Sequence, residues 1–258
     1  MKNVCADGSN YCKFVSPEIV LAMGINRNRE SVFRFKRFEV RNELAAMKVG
    51  TDGVLLGAVC PVNGYVNALD VGTGTGLIAL MLAQRNQALS ITAVEIDADA
   101  ASEARMNVAA SPWHDRITVV EGDFNKMLSD GLAGRYDIVV SNPPYFATTL
   151  KSPDSSRAMA RHETGLSYDT LVNSASALLT AQGAMVFISP ADREDDITMS
   201  IALRGLHVTR LISVYTKIGA KTPSRLIWFI STRPGTMCRE AVYIGSPEYR
   251  ELTSDFYL

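Results

Sequence analysis

The stretch NALDVGTGTGLIALMLAQR, residues 67–85, decides the fold. A short apolar run reaches Gly72, Gly74 and Gly76 and passes at once into an apolar segment of helical length. Glycine tolerates positive φ and lets the backbone approach a ligand closely, so the stretch reads as strand, tight turn and helix. A dinucleotide fingerprint would need its third glycine at position 77, where Leu77 stands. Phosphate cradling is disfavoured further because Asp70 would lie beside the anion.

Working outward, the same rhythm repeats. SITAVEI is followed by ADAASEARMNVAA, RITVVEGD by a short segment, YDIVVSNPPY by a polar loop and YDTLVNSASALL, and AMVFISP by DDITMSIALRG. Alternating strands and helices predict an α/β fold with a doubly wound, Rossmann-like, mostly parallel sheet. LHVTRLISVYT and SRLIWFISTR follow without a helix between them, which predicts an antiparallel hairpin at the sheet edge. Upstream, Phe33, Phe35, Phe38 and Val40 alternate with charges and predict a small N-terminal β-hairpin. Thr51-Asp52-Gly53 before VLLGAV reads as a capped helix start. Residues 1–31 read as a loosely structured extension to a single domain over 32–258.

The chain has 258 residues, 47% of them hydrophobic, with 26 Lys+Arg against 27 Asp+Glu for a net charge of −1. That composition excludes a disordered or fibrous protein. No window has the length of unbroken apolar sequence that a membrane span needs, and no signal-peptide core opens the chain. Cys5, Cys12, Cys60 and Cys238 form no C-x-x-C pair, so neither a disulfide framework nor a metal site is expected, and the thiols suit a reducing, cytoplasmic setting. Charge is unevenly spread. From Ile197 to Arg239 seven basic residues occur with no Asp or Glu, and from Arg27 to Arg41 six basic residues with two acidic ones. Solvated surface charge is the ordinary explanation, but a basic face for nucleic acid is compatible with it.

Three carboxylates close three successive strands. Asp70 precedes the glycines, Glu95 ends the second strand where it can accept from both hydroxyls of a ribose, and Asp123 follows the third where it can accept from an adenine amino group. Asn142-Pro143-Pro144-Tyr145 closes the fourth. As a turn it is stiff, since proline fixes φ and restrains the residue before it. The same stiffness would aim the Asn142 side-chain oxygen and the Pro143 carbonyl at one amino group, with Tyr145 as a stacking face.

DVGTGTG, VEI, EGD and NPPY, each at a strand end and in that order, resemble the class I S-adenosylmethionine-dependent methyltransferases. With FRFKRFEV, KVGTDGVLLGA, ARHE and the ending DFYL, residues 32–258 are most similar to the bacterial tRNA(Val) adenine-37 N6-methyltransferase family. The resemblance implies methyl transfer from S-adenosyl-L-methionine to the N6 amine of an unpaired adenine in tRNA, by a cytoplasmic monomer without a metal. It implies that Asp70, Gly72, Gly74 and Gly76 hold the methionine end of the cofactor, with Thr51 and Asp52 against it. Glu95 would bind the ribose, Asp123 and Phe124 would flank the adenine, and Asn142 to Tyr145 would hold the acceptor. Arg34, Lys36, Arg157, Arg161, Lys217, Lys221 and Arg225 are the candidate RNA contacts. NPPY is shared with the glutamine N5-methyltransferases of release factors and the guanine N2-methyltransferases of rRNA, whose additional domains are not evident here. A non-catalytic nucleotide- or RNA-binding module is the alternative outside enzymes.

Overall fold

The computed structural model describes residues 32–127, 131–144 and 167–258. Tyr145, Arg157, Arg161 and the expected extension over residues 1–31 lie outside the described residues. Strands β1 (Val32–Arg34) and β2 (Glu39–Arg41) pair antiparallel as a small hairpin. A second sheet contains β3 (Asn67–Val71), β4 (Ser90–Glu95), β5 (Ile117–Glu121), β6 (Tyr136–Ser141), β7 (Leu179–Pro190), β8 (His207–Tyr215), β9 (Arg225–Ser231) and β10 (Cys238–Tyr243). Its order is β10-β8-β9-β7-β6-β3-β4-β5, and only β9 runs against the rest.

The chain enters this sheet at β3, builds outward through β4 and β5, and then crosses back to lay β6 on the other side of β3. The reversal between β3 and β6 opens a crevice at their carboxyl ends, where α/β sheets bind ligands. The buried Ser141 hydroxyl donates to the Val71 carbonyl at 2.9 Å, joining the two strands where they part.

Side-chain alternation splits the sheet between two cores. Ala68, Ile138, Val140, Val186 and Ile188 face one; Leu69, Val71, Val139, Met185 and Phe187 face the other. Helices α1 (Thr51–Val59) and α2 (Leu77–Arg85) belong to the first core and are apolar on every side, which is how a helix reads when it is buried all round. Gly57 makes their close approach possible: a Cβ there would lie 2.7 Å from the Met81 sulfur and 3.1 Å from its Cβ. Helix α3 (Ala98–Ala109) covers β4 and β5. Helices α4 (Tyr168–Leu178) and α5 (Glu194–Leu203) supply Leu171, Val172, Ala175, Ile197 and Ile201 to the second core. Helix α6 (Pro247–Leu252) lies near the carboxyl terminus.

Three features depart from the sequence reading. The β8–β9 hairpin is present, but β10 adds a further strand outside it, parallel to β8. CREAVY buries only Val242, so it lacks the alternation that marks a half-buried strand. The first helix is capped by Gly50 without a side-chain hydrogen bond, so Thr51 and Asp52 are its first residues rather than its cap. Finally, the segment joining the hairpin to α1 is held by side chains of α3 that sequence reading passed over. The buried Glu103 carboxylate accepts from the backbone N–H groups of Glu43, Leu44 and Ala45, and Asn107 exchanges hydrogen bonds with the Arg41 backbone.

Glu103→Ala removes a charged acceptor from three backbone donors at once, each such bond contributing about 1.5–3 kcal/mol. Urea unfolding should show a loss of at least about 3 kcal/mol, allowing for partial hydration of the freed donors. A loss below about 1 kcal/mol would show that water replaces the carboxylate and that the tie is dispensable.

Candidate active site

Asp70 is fully buried at the end of β3. Its Oδ2 accepts from the Thr73 hydroxyl at 2.6 Å and from the Ala79 N–H at 3.2 Å, while its Oδ1, equally buried, has no hydrogen-bond partner among the described residues. Burial pushes the carboxyl up to about 7, opposed by the Thr73 and Ala79 hydrogen bonds and reinforced by the nearby Glu95 charge. The loop it anchors turns through Gly72, Gly74 and Gly76 at φ of 66°, 56° and 81°. A Cβ at Gly72 or Gly74 would meet nothing within 4 Å among the described residues, so these two positions border open space there; at Gly76 it would meet Ala104 of α3.

The loop is clasped to β4 from its other side. Gly72 and Thr73 donate backbone N–H groups to the Val94 carbonyl, and Gly74 donates to Glu95 Oε2 at 2.8 Å. Glu95 Oε1 accepts from the Ile96 and Asp97 N–H groups. Two carboxylate oxygens offer about four lone-pair positions, so Glu95 keeps acceptor capacity beyond these three bonds. Immediately after it, Ile96, the last residue of VEI, is 65% exposed and gives an apolar face beside the acid. Its only signal in the sequence is an isoleucine at the point where the chain leaves a strand.

At the end of β5, Asp123 is half-buried and uses one oxygen to cap the short 3-10 turn Phe124–Lys126. Phe124 is turned inward, packed in the second core, so its ring serves the core rather than standing free beside Asp123.

Across the crevice, Asn142 is half-buried, Pro143 buried and Pro144 exposed. The Asn142 Nδ2 lies 3.4 Å from the Met47 sulfur, and a Cβ on Gly53 would come within 3.7 Å of it. The first turn of α1 and the segment before it therefore form a wall of the Asn142 site, with Gly53 leaving room for the amide. Met47 did not stand out in the sequence, and Gly53 did so only as part of a helix start. Thr51 is exposed on that turn, and Asp52 pairs with Arg225 at 3.1 Å.

The basic candidates divide. Arg225 is not a free phosphate contact: it begins β9, binds Asp52 and donates to the Ser224 carbonyl. Arg34 pairs with Glu39 across the hairpin, both exposed. Lys36 donates to the Ser254 carbonyl and lines a cavity of about 500 Å³ with Arg37, Gln84, Arg85 and Asp255. That cavity sits at the far end of α2, about 13 Å along the helix from the glycine loop, so Lys36 is placed away from the crevice. Lys217 and Lys221 are exposed in the β8–β9 loop, on the crevice side of the sheet. Among the described residues no group of His, Cys, Asp and Glu could hold a metal ion.

The raised value of Asp70 has a consequence for stability. A carboxyl at about 7 in the fold against 3.8 when unburied favours folding fully only below about pH 4, and that contribution is lost as pH rises through about 7. Asp70→Asn, neutral throughout, should gain stability relative to the unaltered protein between roughly pH 5 and pH 8 in urea unfolding. A difference that stays constant over that range would show that Asp70 titrates normally.

Comparison with known proteins bears on this geometry. Residues 48–209 match the family model described as "Methyltransferase small domain". The chain is 44% identical over 232 residues to the tRNA1(Val) (adenine(37)-N6)-methyltransferase of Bacteroides thetaiotaomicron, covering 88% of this chain and 97% of that protein. It is 42% identical to the enzyme of the same name from Aeromonas hydrophila, over 89% and 98% of the two chains. Among solved structures, a "predicted O-methyltransferase" from Agrobacterium tumefaciens shares the fold with a TM-score of 0.59 at 21% identity, over 79% of this chain and 96% of that one. The glycine loop, the strand-ending acids and the asparagine-proline turn thus stand in a chain that belongs to the methyltransferase small-domain family and, within it, to the tRNA1(Val) (adenine(37)-N6)-methyltransferases.

Proposed function

We propose that the chain transfers a methyl group from S-adenosyl-L-methionine to the exocyclic N6 amine of adenine 37 in the anticodon loop of tRNA(Val). The observation that carries this reading is the pairing, across one crevice, of an open glycine loop with a stiff Asn142-Pro143 turn, in a chain whose relatives bear that activity in their names over nearly their full length. The residues present fit the cofactor. The orphaned Asp70 Oδ1 is a buried acceptor suited to a cationic group, Glu95 has capacity for ribose hydroxyls, and exposed Ile96 offers an apolar contact to a flat ring.

When bound, the cofactor supplies a methyl already activated on a sulfonium. The protein's work is on the acceptor. An adenine amine is a poor nucleophile because its lone pair is delocalised into the ring. Asn142 Oδ1 and the Pro143 carbonyl would accept its two N–H groups, holding the nitrogen in line and favouring the pyramidal, positively charged arrangement reached in transfer. The contact of Asn142 Nδ2 with the Met47 sulfur would help to orient the amide before substrate arrives. The amine becomes acidic only after it is methylated, which removes the need for a strong general base. Tyr145 would stack on the adenine. This reading takes residues 32–258 as the catalytic domain, working as a monomer in the cytoplasm with residues 1–31 as an extension. No helix among the described residues is long and apolar enough to cross a membrane.

Two substitutions should separate the halves of the site. Glu95→Ala loses charge-assisted hydrogen bonds and should weaken cofactor binding at least about tenfold by calorimetry. Asn142→Ala should leave that affinity nearly intact while lowering turnover by on the order of 10²-fold. Normal turnover in the Asn142 variant would remove it from the acceptor clamp.

The substrate is tested with tritiated S-adenosyl-L-methionine against undermodified tRNA, total rRNA and release factor. Label should enter tRNA. An unpaired base costs least to present, so annealing an oligonucleotide to the anticodon loop should suppress labelling. Equal labelling of the free and annealed forms would overturn the loop-adenine reading.

A further inference from the structure

The seven basic residues of the acid-free stretch Ile197 to Arg239 fall into two groups. Arg204, Arg210, Arg225 and Arg239 each pair with a carboxylate from outside the stretch, namely Asp169, Glu240, Asp52 and Glu194. Lys217, Lys221 and Arg233 have no carboxylate partner among the described residues. Arg233 follows β9 at the edge of the sheet away from the crevice. The two lysines share the β8–β9 loop, and because β7 and β8 both run antiparallel to β9, that loop leaves the sheet on the same edge as Asn142.

The corner beneath this loop is aromatic. Tyr215 and Tyr243 end β8 and β10 in register, and their rings stack at 4.5 Å with 18° between planes. Both are half-buried. Their neighbours Val214 and Val242 point into the first core, so alternation puts both tyrosines on the opposite face. Between the lysines, Ile218 is 67% exposed. With strands about 4.8 Å apart, β8 and β10 lie about 14 Å and 19 Å from β6 across the sheet. At a stacked rise of 3.4 Å per nucleotide this is on the order of four to six nucleotides from the reacting amine.

We propose that this corner is an RNA platform, in which the Tyr215–Tyr243 stack and Ile218 receive unpaired bases flanking the target while Lys217 and Lys221 hold the adjoining phosphates. The proposal rests on tRNA as the substrate and specifies where its loop is held. Stacked rings at a strand end are already ordered, so a base that extends the stack gains contact without immobilising new side chains, and every base has a face to offer. Phosphate contacts by the two lysines add affinity that falls with salt, whereas stacking does not.

The salt response separates the two components. Full-length protein is titrated with an unmodified transcript of tRNA(Val) at several salt concentrations, alongside calorimetry with the cofactor and thermal unfolding. Tyr215→Leu and Tyr243→Leu should each weaken RNA binding about fivefold or more with the salt slope unchanged. Ile218→Ser, at an exposed loop position that the fold does not need, should weaken it at least threefold. The double change Lys217→Ala and Lys221→Ala should lower the slope by about 1.5, because two phosphates are no longer neutralised. Cofactor affinity should be unaltered in all of them. RNA affinity within twofold of the unaltered protein for Ile218→Ser and both tyrosine variants would overturn the platform. So would losses that track lowered melting temperature and cofactor affinity, since they would mark an ordinary cross-strand pair. Failure of the unaltered enzyme to label any tRNA would instead defeat the proposed function, whatever the binding titrations show.

Discussion

The buried Asp70 carboxylate is the constraint on which the site depends. One oxygen holds Thr73 and Ala79, and so fixes both the glycine turn and the entry into α2. The other is buried without a partner among the described residues. Keeping an ionisable group there costs the fold stability, which is why its pKa is driven up to about 7. An apolar residue would be cheaper to bury, but it would neither shape the turn nor leave an unmet acceptor at its back. Such unsatisfied groups persist in native proteins where a ligand can complete them. The fold's least comfortable atom thus lies where a cationic group would relieve it.

A second layer of polar ties carries this geometry outward. Asn107 exchanges hydrogen bonds with Arg41 and also donates to the Thr75 carbonyl, so one side chain of α3 touches both the hairpin segment and the glycine loop. Glu103, one turn earlier, holds Glu43, Leu44 and Ala45. The segment they restrain leads to Met47 and Gly53, the wall against Asn142. The glycine loop and the segment leading to the Asn142 wall are therefore tied to one helix's polar face. At the far side of the hairpin, Phe35 stacks on Phe38 and Tyr257, and the Lys36 N–H donates to the Phe256 carbonyl, so the C-terminal residues close the same unit.

Much of this was legible because its causes are local. Period-two runs ending in acids and glycine turns located β3 to β6 and the residues at their ends, and the aromatic alternation of residues 33–40 located the hairpin. What escaped has the opposite character. CREAVY became β10 because a neighbouring strand offered it backbone partners, not because its own side chains demand burial. Glu103 reads as one more surface acid of an amphipathic helix until the Glu43–Ala45 segment, starting 60 residues earlier in the chain, is brought to lie against it. Met47 and Gly53 acquire meaning only from Asn142, some 90 residues later. Contacts of high sequence separation leave no periodic trace.

The charges show the same limit in a sharper form. A run of seven cations without an acid suggests one basic face, yet four of those cations meet carboxylates supplied by other elements. Arg225 and Asp52, 173 residues apart, would have been assigned to two different ligands from sequence; in the fold they neutralise each other and bind the first turn of α1 to the start of β9. Half-buried, with an Arg Nε–carboxylate hydrogen bond, such a pair fixes position more than it adds net stability. The electrostatic footprint left for a polyanion is what pairing does not consume, and within this stretch two of the three cations without a carboxylate partner among the described residues, Lys217 and Lys221, share the loop between β8 and β9, on the edge where Asn142 stands.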